Sequence, residues 1–228
     1  MTAVQQVLAD LQARARPQEL AGMARFGMEV SQRLGVSVPE LRRIAKSLGH
    51  DQALAQQLWD SGWADARIVA ALVAQPGQFS SRQMDAWVKD FNSWDVCDQV
   101  CNNAFVASPL AWGKVPVWAK RQNEFARRAA FSLLASLAVH DKTAADAPFV
   151  QALALVEAAA CDERNFVKKA VNWALRNIGK RNAALHTAAI ASVQRIQQQD
   201  TKSARWIAAD ALRELQSDVV LQKVRQHG

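Results

Sequence analysis

The chain has 228 residues, half of them hydrophobic, so it is long enough for a substantial core in one or two domains. Abundant alanine, few glycines and prolines, and no tyrosine favour helix over strand. Three cysteines, Cys97, Cys101 and Cys161, exclude a disulfide framework. We expect no membrane span, because no charge-free apolar stretch is long enough. We also expect a cytoplasmic protein, because the first residues lack signal-peptide features.

The net charge of +7 is distributed unevenly along the chain. Residues 1–111 contain 10 basic and 11 acidic side chains, a net charge of −1, whereas residues 112–228 contain 18 and 10, a net charge of +8. One strongly basic half suits a polyanionic partner, which is most often nucleic acid. The alternative is a basic protein whose charges serve only solubility.

The first half of the chain reads as a series of helices separated by clear breaks. Valine and leucine recur at helical spacing in residues 4–11. Ser37-Val-Pro-Glu40 has the pattern of a capping box and predicts a helix over residues 39–48. Pro76-Gly77 predicts a break, after which Ser80-Ser81 caps the next helix.

Four further joints are predicted along the chain. Asn92-Ser93 ends one helix before Trp94, and the segment from Pro109 to Pro116 forms another joint. Later turns are expected at Lys142-Thr143 and Asp200-Thr201.

The second half repeats with a period near 40 residues. Three segments each place basic residues at the entrance to an alanine-rich helix: Phe125–Ala130, Phe166–Val171 and Ala204–Ala209. The pairs Arg127-Arg128 and Lys168-Lys169 lie 41 positions apart, and Ala-Leu-Arg at 174–176 recurs 37 positions later. A period of this length, holding two helices, is typical of HEAT repeats.

We therefore predict an all-α, HEAT-like helical-repeat solenoid with a concave basic face, forming a single domain over residues 1–228. Equivalent positions in successive repeats would line one surface, and we assign Arg128, Lys169 and Arg205 to these positions. Such a row of cations could follow the phosphates of a duplex. The alternative is that basic residues at the starts of repeats are simply solvated.

A stripe of cations around a tryptophan is predicted within residues 165–182. Lys169, Trp173, Arg176 and Lys180 follow one another at helical spacing and share a face. The indole could stack on a sugar or base while the neighbouring cations hold phosphates. The alternative is an amphipathic surface helix with a tryptophan at its boundary.

A second candidate is the motif Trp94-Asp-Val-Cys-Asp98. Trp94 and Asp98 are four positions apart and share a helix face, which places Asp98 at the edge of a packing helix. The alternative is a structural aspartate, paired with an arginine, beside a core tryptophan.

Other chemistry finds little support in the sequence. Cys97 and Cys101 have no histidine nearby, and the histidines are scattered, so we expect neither a metal site nor a cysteine nucleophile. No glycine-rich phosphate loop is present. Five tryptophans without basic neighbours are assigned to core packing: Trp59, Trp63, Trp87, Trp112 and Trp118.

Five motifs, in this order along nearly the whole chain, resemble the AlkD-like DNA alkylation repair family of HEAT-like repeat DNA glycosylases. The first joins Met23–Phe26 to Leu34–Arg43, and the others are Ser93–Asp98, Asn123–Ala130, Phe166–Asn182 and Ser203–Arg205. The resemblance implies an enzyme that excises cationic N3- and N7-alkylated purines from double-stranded DNA. It implies no base insertion into a pocket, and no metal or organic cofactor. We expect a monomer, because a solenoid needs no partner to bind a duplex.

The resemblance also implies roles for individual residues. Asp98 would be the catalytic carboxylate, Trp94 and Trp173 would flank the lesion nucleotide, and Arg128 would contact the DNA backbone beside it. The remaining DNA contacts are assigned to Arg127, Lys168, Lys169, Arg176, Lys180 and Arg205.

The chain departs from the family pattern near its beginning. Phe26 stands where the relatives carry a tyrosine, and Gly27-Met-Glu29 replaces a more basic stretch. Two alternatives to the enzyme stay open: a non-catalytic HEAT-like module that binds DNA or structured RNA, and a protein-binding scaffold. The sequence does not rank 3-methyladenine against 7-methylguanine or bulkier adducts.

Overall fold

The computed structural model describes residues 2–226, and this part of the chain consists of helices and connecting loops without any strand. The all-α prediction is therefore confirmed. The chain divides into two compact units, Met1–Leu110 and Ala111–Gly228. The organisation of the chain as one domain stays a prediction. Among the described residues, no helix combines the length and apolarity needed to cross a membrane.

The first unit contains seven α-helices in its described residues. They are α1 Ala3–Ala13, α2 Pro17–Arg25, α3 Val38–Leu48, α4 Gln52–Asp60, α5 Ala64–Val73, α6 Ser81–Lys89 and α7 Trp94–Val100. A 3₁₀ turn, Pro76–Gln78, separates α5 from α6, and a π-helical segment, Cys101–Phe105, continues α7.

Local signals explain where these helices begin. Ser80 caps α6 by accepting a hydrogen bond from the backbone N–H of Gln83 at 3.1 Å, as predicted. The helix predicted over residues 39–48 begins one residue earlier, at Val38. Its capping box is altered, because the Ser37 hydroxyl donates to the Glu40 carboxylate at 2.7 Å and caps no backbone N–H.

Aromatic rings fill the core of the first unit. Trp59 and Trp87 are fully buried and stack face to face with ring centroids 4.1 Å apart. Their indole nitrogens donate to Asp90 at 2.9 Å and Gln56 at 3.1 Å, so neither polar atom is buried without a partner. The assignment of these tryptophans to the core is confirmed. Trp118 is also buried, whereas Trp63 and Trp112 are only half-buried.

The second unit contains seven α-helices in its described residues. They are α8 Ala111–Ala119, α9 Glu124–His140, α10 Asp146–Ala159, α11 Asn165–Gly179, α12 Ala183–Gln197, α13 Lys202–Leu215 and α14 Asp218–Arg225. Pro116 lies inside α8, so the joint predicted from Pro109 to Pro116 ends where α8 begins.

The predicted repeat is present as successive helix pairs in the second unit. The first helices of these pairs, α9, α11 and α13, begin at residues 124, 165 and 202, which reproduces the spacings of 41 and 37. Phe125 and Phe166 hold the second position of their helices, and their rings stack with centroids 5.6 Å apart. Helix α11 packs against both α9 and α13, so each repeat covers the apolar face of its neighbour.

The helix starts correct one assignment made from the sequence. Counted from the first residue of each helix, Arg128 and Lys169 are at the fifth position, which Trp206 holds in α13. Arg205 is at the fourth position, equivalent to Arg127 and Lys168. The proposed row of Arg128, Lys169 and Arg205 therefore does not consist of equivalent positions, because Arg205 lies one residue out of register with the other two.

Gly179 allows a close approach between helices in the second unit. A Cβ atom at Gly179, near the end of α11, would lie 2.8 Å from Leu215 Cδ2 and 3.0 Å from Ala189 Cβ. Leu215 and Ala189 are both fully buried, so neither can move aside easily.

We predict that Gly179→Ala lowers the free energy of unfolding by about 1–3 kcal/mol, because overpacking outweighs the gain in helix propensity. Gly113→Ala in α8 is the matched control, since a Cβ atom added at Gly113 would meet no neighbouring atom within 4 Å. It should raise the free energy of unfolding by up to about 1 kcal/mol. Urea denaturation of both variants checks the prediction, and shifts of the same sign would contradict it.

Candidate nucleic-acid interface

The short helix α7 carries both Trp94 and Asp98, one turn apart, as the motif predicts. Val96, Cys97 and Val100 form its buried face, while Trp94 and Asp98 are half-buried. Asp98 therefore lies at the edge of a packing helix, and the predicted position of this residue is confirmed.

A buried ion pair holds the first turn of α7. Arg33 donates two hydrogen bonds to the Asp95 carboxylate, at 2.7 and 3.0 Å, and both side chains are largely shielded from water. The Ser93 hydroxyl donates to the same carboxylate and accepts the Glu29 backbone N–H at 3.2 Å. The sequence analysis gave an arginine-paired structural aspartate as the alternative role of Asp98, and the structure shows such a pair at Asp95, three residues before it.

The indole of Trp94 is oriented by the segment after α2. Its Nε1 donates to the backbone carbonyl of Phe26 at 3.0 Å. The Phe26 side chain itself is 75% exposed, so the residue that replaces the family's tyrosine contributes its backbone to Trp94 and presents its ring to solvent. The Glu29 carboxylate accepts a hydrogen bond from the backbone N–H of Ser31. This bond helps to keep the pKa of the exposed Glu29 carboxyl below its ordinary value.

A π-helical segment follows α7 directly. π-Helical insertions are rare and occur frequently at functional sites. Asn103 lies in this segment, donates to the backbone carbonyl of Gln99 at 2.7 Å and accepts from Arg42 at 3.3 Å. Helix α7 is therefore held by polar side chains at both of its ends.

The predicted stripe lies on α11, and two of its cations have carboxylate partners on α13. Arg176 pairs with Glu214 and lies 3.6 Å from Asp210, while Lys180 donates to Glu214 at 2.6 Å. Burial raises the pKa of Glu214. The hydrogen bonds and positive charges of Lys180 and Arg176 lower it by more than burial raises it, so the pKa of Glu214 is below its ordinary value. Trp173 is half-buried on the same helix, and Lys169 is exposed.

Arg127 has an internal role at the joint between repeats. It donates to the Ala119 carbonyl at 2.9 Å and to the buried Asp162 carboxylate at 2.8 Å. Arg164 binds the other side of Asp162 at 2.9 and 2.6 Å. Burial raises the pKa of Asp162, but the hydrogen bonds from Arg164 and Arg127 outweigh it and lower the pKa to about 2.

Arg128 is the most buried of the predicted site cations, with 5% of its surface exposed. Its Nη1 donates to the Phe166 carbonyl at 2.7 Å, at the start of α11. This bond joins consecutive repeats and holds the guanidinium in one place.

Among the predicted site cations, Lys169 and Arg205 are exposed, at the starts of α11 and α13, and Lys168 beside Lys169 is half-buried. Lys168 lies over the Trp206 ring, with Nζ 5.2 Å from the ring centroid, and Trp206 is 39% exposed. Arg205 is exposed and pairs with Asp200 at 2.6 Å. The sequence analysis missed Trp206. Counting positions from each helix start would have found it, because it takes the place that Lys169 holds in α11.

The predicted site residues thus fall into two groups. Trp94 and Asp98 share α7 in the first unit. The others belong to the second unit, where α11 alone carries Lys168, Lys169, Trp173, Arg176 and, at its end, Lys180. No cluster of three or more potential metal ligands is present among residues 2–226.

Comparison with known proteins identifies the family of this chain. The sequence profile described as "DNA alkylation repair enzyme" matches residues 7–215. The chain belongs to this family. No curated protein matches the sequence significantly.

The fold of this family member is similar to that of a solved structure from "a new family of proteins related to the HEAT-like repeat DNA glycosylases with affinity for branched DNA structures". The TM-score is 0.77, at 19% identity over 94% of this chain and 96% of the other. The HEAT-like repeat fold is thereby confirmed. A designed armadillo repeat protein with a bound (KR)4 peptide aligns at a TM-score of 0.42 and 15% identity, over 100% of this chain and 88% of its own.

We predict that the hydrogen bonds of Asp162 with Arg127 and Arg164 make the free energy of unfolding of this family member depend on pH under acidic conditions. The folded pKa of Asp162, about 2, lies below its ordinary value of 3.8. Asp162 therefore makes its full contribution to the free energy of unfolding above about pH 4, and roughly 2 kcal/mol of that free energy is lost as pH falls toward about 2. Urea denaturation across this range should show a shallower pH dependence for Asp162→Asn, and a smaller change of the same sign for Arg127→Gln. An unaltered pH profile for Asp162→Asn would contradict the assignment.

Proposed function

We propose that this protein is a DNA glycosylase that excises cationic N3- and N7-alkylated purines from double-stranded DNA. The family profile supports a role in DNA alkylation repair. The observation that carries the proposal is the placement of Asp98 at the half-buried edge of α7, one turn from Trp94.

The chemistry suits a fixed carboxylate. A purine alkylated at N3 or N7 already carries a positive charge, so it is a good leaving group. Breaking the glycosidic bond moves that charge toward the sugar and gives an oxocarbenium-like transition state. Asp98 would stabilise this charge and orient the attacking water. The indole face of Trp94 would attract the cationic nucleotide through a cation–π contact worth roughly 0.5–2 kcal/mol.

The hydrogen bonds around α7 support this role for Asp98. Preorganised charges stabilise a transition state better than mobile ones, because no energy is spent on orienting them during the reaction. The Arg33–Asp95 pair and the Trp94–Phe26 bond fix the first turn of α7. They hold the helix that carries Asp98.

The DNA backbone contacts are best supported where cations are exposed. Lys169 and Arg205 meet this condition at the starts of α11 and α13, Lys168 is half-buried beside them, and we add the exposed Trp206 as a stacking surface. Carboxylate partners already bind Arg127, Arg176 and Lys180, and the exposed Asp200 binds Arg205, so a phosphate would have to share these cations. Arg128 would present a guanidinium that the Phe166 carbonyl orients.

We predict that Asp98→Asn reduces the excision rate by about 10²–10³, because one preorganised charge is removed. The measurement is the release of free methylpurines from methylated duplex DNA in the presence of EDTA. Asp60→Asn is the matched control, since Asp60 is an exposed aspartate of the same unit, and it should retain the wild-type rate. Equal release by wild type and Asp98→Asn would refute the placement of the active site. No release by wild type would refute the enzyme.

A binding module without excision activity is the second candidate, acting on branched DNA or structured RNA. The favouring observation is the structural likeness to a family with affinity for branched DNA. The exposed Phe26 and the acidic Glu29, in place of a tyrosine and a basic stretch, also favour altered contacts beside α7. Tight binding of a four-way junction without release of methylpurines would select this candidate.

Either nucleic-acid function predicts a salt-dependent affinity that involves Lys169. Lys169→Gln should weaken binding to unmodified duplex and reduce the slope of log K against log[salt] by about 1, since one phosphate contact is lost. Lys120→Gln, at an exposed position after α8, should leave the slope unchanged. Fluorescence anisotropy across a salt series measures both. A flat salt dependence for the wild type would instead favour a protein-binding scaffold.

A further inference from the structure

The carboxyl-terminal ends of α9 and α11 border a polar cavity of about 470 Å³ in the second unit. Four of its lining side chains are cationic, namely Lys142, Lys180, Arg181 and Lys223, of which Lys180 is already paired with Glu214. Asp146 is the one acidic side chain among the described residues that line it. Its volume lies within the range of about 300–1,000 Å³ that is usual for small-molecule sites. The charge around it favours an anion.

Arg181 is the structural centre of this cavity. Its Nη1 donates to the Ala138 carbonyl at 2.8 Å, its Nη2 lies 3.4 Å from the Ala144 carbonyl, and its guanidinium lies 4.2 Å from the centroid of the Phe149 ring. These contacts fix the orientation of the guanidinium. They leave several of its five N–H donors unused, including Nε, which is buried without a hydrogen-bond partner.

The charge of Arg181 is not met by a nearby carboxylate. Asp141 and Asp146 act on it only from a distance, and burial lowers its pKa. Asp146 is itself engaged, since it accepts a hydrogen bond from Asn182 at 2.9 Å. A half-buried guanidinium without an ion pair is costly, and an anionic ligand in the cavity would offset this cost.

The types of cationic side chain in the cavity indicate which class of anion would bind there. A guanidinium fork matches the oxygens of a phosphate, and flexible lysines add charge without demanding one geometry. None of the described residues that line the cavity is aromatic, so none of them could stack on a base. We propose that this cavity binds a compact phosphate group, held by Arg181 with Lys142, Lys180 and Lys223. The group is either a free phosphate compound or a phosphate of the nucleic-acid backbone.

The site is separate from the cations at the starts of α11 and α13. Lys169 and Lys180 are eleven residues apart on α11 and its C-cap, which corresponds to about 16 Å along the helix. A ligand in the cavity would therefore occupy the opposite end of α11 from Lys168 and Lys169. The proposal does not depend on base excision or on Asp98.

The test uses inorganic pyrophosphate titrated into the full-length protein in a phosphate-free buffer, followed by isothermal calorimetry. Arg181→Gln is unsuitable because Arg181 also holds the end of α9. Lys142→Glu changes an exposed side chain of the cavity, and Lys120→Glu makes the same change at an exposed position elsewhere in this unit. We expect saturable binding at one site, weakened at least about tenfold by Lys142→Glu and unchanged by Lys120→Glu.

A parallel titration with a DNA duplex identifies the source of the phosphate. Displacement of DNA by pyrophosphate, with weaker DNA binding by Lys142→Glu, would assign the site to the nucleic-acid backbone. Undiminished DNA binding by Lys142→Glu would assign it to a free phosphate compound. The proposal is overturned if pyrophosphate gives no saturable binding, or if both variants weaken it equally.

Discussion

Burial of the apolar face of α11 between α9 and α13 is the constraint on which the second unit depends. A single helix pair of this length exposes too much apolar surface to be stable alone, so each repeat requires its neighbour. The close approach at Gly179 and the stacked pair of Phe125 and Phe166 both result from this packing. The same packing fixes the start of each helix, and therefore the places at which cations reach the surface.

Polar contacts between repeats determine which cations remain available to a partner. Arg127 and Arg128 bind groups of the following repeat, so they join consecutive helix pairs. Arg176 and Lys180 bind carboxylates of α13 in a similar way. Sequence charge therefore overstates the charge available for phosphates, because several arginines are already used within the protein.

In the first unit, the important constraint is that a short helix, α7, is held in place at the edge of the core. Helix α7 spans only seven residues, so its own hydrogen bonds are too few to fix it. The buried Arg33–Asp95 pair and the Trp94–Phe26 bond supply the missing restraint. Stability and function are thus divided between adjacent acidic residues, with Asp95 holding the helix and Asp98 proposed for catalysis.

The sequence by itself determined the helical class, several of the helix starts and the repeat of 41 and 37 residues, because capping signals and periodicity are local properties. It also placed Trp94 and Asp98 on one face. Only the tertiary structure decided that Arg128 is buried, that Asp95 pairs with Arg33 and that Trp206 is exposed at the repeat position of Lys169. Side-chain partners distant in sequence leave no local pattern, since they are chosen by how the helices pack.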